Sequence, residues 1–263
     1  MGQAWKKVQK HRQAKRKLYN LMAKVDQVIV IHYSCESFYD RPDGSSPRIT
    51  SIAVRNLESG QTTSFSIHQV AEIEGYSASG LGQHYNQLEK IMLDNFYDYV
   101  RRHGSYIWLH WKMRDINYGF PAIAHRYKVL GGQPEPINES KLVDLSRLLK
   151  DIYGDAYIPP PRLKSLAEEN SMLREDFLEG KAEAEAFDNE EYVKLHQSTL
   201  RKVDVIAKIV ERVDDGSLKT KSNWKDIYGN YLAAFVELIK ENPVISAIVA
   251  IISFVSAVIG IIK

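Results

Sequence analysis

Aromatic and cationic side chains interleave through residues 108–128. Trp108, Trp111, Tyr118, Phe120 and Tyr127 alternate with Lys112, Arg114, His125, Arg126 and Lys128. Aromatic faces stack on bases while cations follow phosphates, so this mixture is what a binder of single-stranded nucleic acid requires. A second cluster, His196, Gln197, Ser198, Thr199, Arg201 and Lys202, offers further phosphate contacts. The acids Glu36, Asp115 and Asp204 are spread along the same chain. Each feature also has a plainer reading. Trp108, Phe120 and Tyr127 suit a packed core, cations usually sit on solvated helix faces, and the acids suit scattered ion pairs.

The elements that must position these groups follow from periodicity. Residues 3–24 form a basic helix, with Trp5, Val8, Leu18, Leu21 and Met22 among the cations. Residues 25–38, rich in Val and Ile, predict a first strand. Residues 49–57 and 62–68 alternate around Glu58-Ser59-Gly60, a hairpin, so three antiparallel strands open the domain. A helix follows on Leu88, Ile91, Met92, Phe96 and Tyr99, then a buried strand over 106–111. Residues 115–130 and 140–153 read as helices, the latter with Leu142, Leu145, Leu148, Leu149 and Ile152 on one face. A small helix carries Leu163 and Leu166. A long one over 189–213 turns Tyr192, Leu195, Thr199, Val203, Ile206, Val210 and Val213 inward. The resulting division is a basic helix (1–24), an α/β domain (25–213), a linker helix (214–242) and a terminal segment (243–263).

That segment is apolar over 244–262, the length of one bilayer crossing, and only Lys263 follows it. Lys219, Lys221, Lys225 and Lys240 precede it, which places the domain in the cytoplasm by the positive-inside tendency. Ser246, Ala250, Ser253, Ala257 and Gly260 recur at spacings of four and three. They form a seam of small residues suited to close helix association, with Ser246, Ser253 and Ser256 lining a narrow pore. A plain anchor is the simpler alternative. The 263 residues carry a net charge of only +2, yet residues 1–24 hold Lys6, Lys7, Lys10, Arg12, Lys15, Arg16, Lys17 and Lys24 without one acid. That helix fits an anionic membrane surface, an inter-subunit contact or nucleic acid. One cysteine, Cys35, excludes an intrachain disulfide and favours a reducing compartment. No secretory signal precedes Val25.

The order of elements and several motifs resemble the DEDD family of 3′–5′ exonucleases over residues 25–213. Ser34-Cys35-Glu36 matches its Asp-x-Glu strand, and the segment from His110 to Asp115 its second motif. Val143-Asp144-Leu145 and Leu163-Lys164-Ser165-Leu166 match two further elements, and the helix from His196 to Asp204 its last motif. The resemblance implies an RNase H-like mixed sheet with flanking helices and a two-Mg²⁺ centre. The chain departs from it where Ser34 replaces an Asp and Thr199 a His, while Glu36, Asp115 and Asp204 remain. The expectation is therefore a fold without catalysis and without a cofactor, whose groove holds DNA. Its expected DNA-contacting residues are Tyr33, Ser34, Glu36, His110, Trp111, Lys112, Arg114, Asp115, Tyr118, His125, Arg126, His196, Thr199, Arg201 and Lys202. The alternative is an active membrane-anchored exonuclease using Mg²⁺ on Glu36, Asp115 and Asp204.

Joined to a terminal span, such a head resembles the effector subunits of the Hailong anti-phage defence systems. That resemblance implies a bacterial inner-membrane, single-pass homo-oligomer, a tetramer, with a cytoplasmic crown. The crown would bind a single-stranded DNA oligomer made by a partner nucleotidyltransferase, and the bound DNA would hold an ion channel shut.

Overall fold

The computed structural model describes residues 2–36, 46–76, 78–115, 117–242, 245–248, 251, 252 and 255. The chain packs as two units, one of Met1–Lys17, Leu149–Ile158 and Thr220–Lys263, the other of Leu18–Leu148 and Pro159–Lys219.

The larger unit is α/β. Strands β1 (Val28–Cys35), β2 (Ile49–Asn56) and β3 (Thr62–Ser66) form the antiparallel opening that the alternation predicts. Helices α2 (Ile67–Ile73) and α3 (Tyr85–Arg102) follow, then β4 (Ile107–His110) and α4 (Phe120–Val129). Next come β5 (Leu142–Asp144), α5 (Leu145–Tyr153), α6 (Arg162–Glu169), α7 (Gly180–Asp188) and α8 (Tyr192–Asp214). The mixed sheet has the order β3-β2-β1-β4-β5, with β4 parallel to both β1 and β5.

The pleat divides β1 between two layers, because successive side chains face opposite ways. Ile29, Ile31, Tyr33 and Cys35 join Ile52 and Val54 beneath Leu88, Met92 and Phe96 of α3. His32 and Ser34 face α8 instead. The pairing Ser34↔Ser51 sets two hydroxyls side by side on that face. Tyr192, Leu195, Thr199, Val203, Ile206, Val210 and Val213 of α8 are all buried, as their spacing predicts.

Three expectations need correction, and one helix is additional. Residues 140–153 are not one helix, since Leu142–Asp144 is a strand that runs directly into α5. The third strand ends at Ser66, and His68 is helical. The helix expected from residue 115 begins only at Phe120. Before it, residues 113–120 fold back: the Phe120 N–H donates to Met113 O at 3.1 Å and the Asp115 N–H to Tyr118 O at 3.1 Å. Gly119 closes this turn at φ 132°, where a Cβ would lie 2.2 Å from the Met113 backbone, so no other residue fits. Finally, α7 carries no strong signal in the sequence and was not expected.

The smaller unit contains the first part of α1 (Gln3–Met22) and α9 (Trp224–Glu241). Ala4, Val8 and Ala234 form its apolar cluster with Trp5 and Tyr231 against them. Asn223 and Asp226 cap α9 reciprocally. Among the described residues no helix is long and apolar enough to cross a membrane. Of the expected pore seam, Ser246 is described and donates to the Ile239 carbonyl. Ala250, Ser253, Ser256, Ala257 and Gly260 lie outside the described residues.

Candidate functional site

The polar centre of the larger unit lies where the C-terminal end of β1 meets α8. Thr199 Oγ1 is 2.7 Å from both Ser34 Oγ and Ser51 Oγ, and Ser34 Oγ donates to Glu183 Oε1 at 3.1 Å. A carboxylate only accepts, so Ser34 donates to Glu183; Thr199 Oγ1 also donates to the Leu195 carbonyl at 2.9 Å, so three hydroxyl protons serve four close contacts. The same Glu183 oxygen accepts from Lys202 Nζ at 2.7 Å. The pair is nearly dry, with 7 % of the Lys202 side chain and 12 % of that of Glu183 exposed. Lys202 also lies over the Phe177 ring at 5.4 Å.

Each element contributes for a local reason. Thr199 and Lys202 are three residues apart on α8 and so share one helix face. Ser34 and Ser51 are paired across antiparallel strands. Glu183 arrives from α7, a helix of nine residues.

His32 sits on the same face of β1. Burial, and secondarily the Lys202 charge, hold its imidazole well below the ordinary histidine range. Its folded pKa is thus below the unfolded one. From about pH 6.5 downward the unfolded chain takes a proton that folded His32 refuses, so stability falls as the pH drops. The expected slope is at most about 1.4 kcal/mol per pH unit for this group. Urea midpoints at pH 7 and pH 5 should differ less in His32→Gln than in the parent; an unchanged difference would show that His32 does not carry the effect.

A two-metal centre does not fit these residues. Two Mg²⁺ ions call for about four carboxylates. Among the described residues no group of three or more His, Cys, Asp or Glu is placed to hold a metal ion. Among the described residues Glu183 is the one carboxylate joined to the hydroxyls, and a lysine ammonium already neutralises it. The three expected ligands are apart and engaged. Glu36 is bidentate with Arg48, 2.9 Å to each oxygen. Asp115 accepts the Asn117 N–H at 2.8 Å, and Asp204 binds Lys208 at 2.7 Å and Arg201 at 3.5 Å.

The expected DNA-contacting residues divide by burial. Ser34, Thr199 and Lys202 meet in the centre just described. Tyr33 and Tyr118 stack on each other with ring centroids 4.7 Å apart, and Tyr33 Oη accepts the Gly119 N–H. Trp111 is buried, and His110 is fully buried with Nδ1 accepting the Met113 N–H at 3.0 Å. Arg126 is buried against Glu89 at 2.6 Å. Arg201 is held by Asp176 at 2.8 and 3.0 Å. His196 is buried beside His68. Lys112, Arg114, Asp115 and His125 are exposed, with Arg114 donating to Leu142 O at 2.7 Å.

Lys112 has a left-handed backbone, φ 54°, unusual for a residue with a side chain. Its N–H and that of Arg147 both point at Asp144 Oδ1, at 3.3 and 3.4 Å. Asp144 therefore pins two exposed cations, Lys112 and Arg147, at the C-terminal edge of β4 and β5. Open α/β sheets bind ligands beyond the carboxyl ends of their strands. Sequence reasoning did not single out His32, Ser51, Glu183 or Arg147. Ser51 meets Ser34 through the β1–β2 ladder, whereas the glycine turn joins β2 to β3, so the hairpin signal did not reach Ser51.

Comparison with protein-family models, with curated proteins and with solved structures gives no match.

Proposed function

We propose that this chain is a membrane effector of anti-phage defence, in which an RNase H-like head without nuclease activity holds a single-stranded DNA oligomer. The observation that carries this reading is the Lys202–Glu183 ion pair, joined to Ser34, Thr199 and Ser51 where a nuclease of this fold would gather carboxylates around metal. The strand order, antiparallel over β1–β3 and parallel over β1, β4 and β5, supports the RNase H-like assignment. The exposed cations Lys112 and Arg147 at the carboxyl edge support a phosphate-bearing ligand. The defence role, the homo-oligomeric channel repressed by DNA, the bacterial inner-membrane location and the nucleotidyltransferase partner rest on the resemblance to Hailong effectors. The apolar run over 244–262 is in keeping with it.

The test uses the full-length protein in detergent with an end-labelled single-stranded DNA oligomer and Mg²⁺ or Mn²⁺. The expected result is binding that weakens steeply with salt and leaves the DNA uncut. Metal-dependent shortening of the label would overturn the proposal in favour of an anchored exonuclease. Lys112→Glu combined with Arg147→Glu should weaken binding about tenfold or more and lower the salt slope by about two, as loss of two phosphate contacts would. Unchanged affinity in that variant would move the DNA path away from this edge.

A further inference from the structure

His68, the second residue of α2, and His196, in the first turns of α8, face each other with ring centroids 5.0 Å apart and planes at 49°. His68 Nδ1 and His196 Nε2 are both buried, and neither has a hydrogen-bond partner. A buried polar atom left unsatisfied is unfavourable, and two facing rings carry one each. Burial lowers the pKa of both rings, that of His196 to about 4, so both are neutral near pH 7 and keep a ring lone pair. Two neutral imidazoles on separate elements satisfy the chemical requirement for a metal ligand pair.

The spacing also fits. Two imidazoles on one ion, with metal–nitrogen bonds of about 2.0–2.1 Å and an angle of about 90–110°, have ring centroids about 4.5–5.3 Å apart. The observed 5.0 Å falls inside that window without movement of either helix. Hard cations prefer oxygen, whereas imidazole suits Zn²⁺, Ni²⁺ and Cu²⁺. Among the described residues no third His, Cys, Asp or Glu completes a ligand set, so water would fill the remaining positions. His68 is half-buried and His196 buried.

We propose that His68 and His196 form a two-histidine site for a borderline transition-metal ion, Zn²⁺, Ni²⁺ or Cu²⁺, that ties α2 to α8. The site uses none of the residues of the Lys202–Glu183 centre and neither of the edge cations, and it gives the buried His196, expected from sequence to touch DNA, to an ion instead. An ion bound there clamps two elements whose facing rings each carry an unpartnered nitrogen, so it stabilises the folded chain by mass action.

The experiment uses tag-free, full-length protein in detergent. Thermal unfolding is followed with ZnCl₂ or NiCl₂ up to about 1 mM, where a saturable rise in midpoint of several degrees is expected. MgCl₂ should give none. Electron paramagnetic resonance with one equivalent of CuSO₄ should show hyperfine splitting from two imidazole nitrogens. His68→Ala removes one ligand from a half-buried position on a short helix and should abolish both effects. Its fold is checked by far-UV circular dichroism. If that variant fails to fold, the copper spectrum of the parent decides. No midpoint shift, a copper spectrum lacking two nitrogens, or effects that persist in His68→Ala through an exposed histidine such as His125 would each overturn the proposal.

Discussion

Lys202→Ala should lower the thermal midpoint by about 6–12 °C. The ammonium lies 2.7 Å from Glu183 Oε1 in a pair with about nine-tenths of each side chain hidden from solvent. Removing one member of a buried ion pair leaves the other charge without its counter-ion, at a cost of about 3–5 kcal/mol. The lower figure applies here, because Ser34 still donates to Glu183 after the change. In a domain of this size about 1 kcal/mol corresponds to roughly 2–4 °C. Replacing both partners, Lys202→Met with Glu183→Leu, should recover most of the loss, since the penalty belongs to the stranded charge. The same variant probes the metal question. If the ammonium merely occupied a competent Mg²⁺ centre, millimolar Mg²⁺ would restore the midpoint of Lys202→Ala. With one carboxylate among the described residues of the cluster, no restoration is expected. A midpoint within about 2 °C of the parent, or full rescue by Mg²⁺, would sink the account of this centre as an ion pair that has replaced metal chemistry.

Much of the frame was legible because local period and tertiary packing agree. The hairpin of β2 and β3 announces itself by alternation around Gly60, and α8 by apolar residues at helical spacing. Strand β5 was not legible. Its three residues run without a break into α5, so Leu142 falls on the same helical arc as Leu145 and Leu149, and periodicity cannot separate them. Only pairing with β4 makes it a strand. The centre was half legible. Ser34 and Thr199 stood out because they occupy positions where the nuclease motifs that the sequence resembles carry metal-binding or water-positioning groups. Glu183 did not, since its importance comes from Lys202, nineteen residues away on another helix. Charge partners at long separation leave no periodic trace. For that reason a run of cations and aromatics such as 108–128 looks uniform in sequence, yet in space Lys112 faces solvent and Arg126 lies in the core.

Arg126→Ala is therefore expected to report on folding before it reports on DNA. The guanidinium donates from Nε to both Glu89 oxygens at 3.0 Å, and from Nη2 to Glu89 Oε2 at 2.6 Å and Asn86 Oδ1 at 2.7 Å. Glu89 is wholly buried and also accepts the Ile49 N–H at 2.6 Å, where β2 begins. The pair thus fastens α3 and α4 to the start of β2. Its loss should cost about 3–5 kcal/mol, enough to leave a marginal domain partly unfolded. The pH dependence follows from the carboxylate. Burial is the largest influence on Glu89 and pushes its pKa above the usual carboxylate range even with Arg126 in place. Without the guanidinium the pKa rises further, so the stranded group takes up a proton more readily as the pH falls. The gap between variant and parent should be widest near pH 8 and narrow toward pH 5, the sign expected when the folded variant binds the extra proton. Glu89→Leu with Arg126→Met should restore much of the stability at pH 8. If Arg126 were instead a phosphate contact, Arg126→Ala would melt with the parent at both pH values and lose only affinity for the oligomer, so melting and binding measured on one preparation distinguish the two roles.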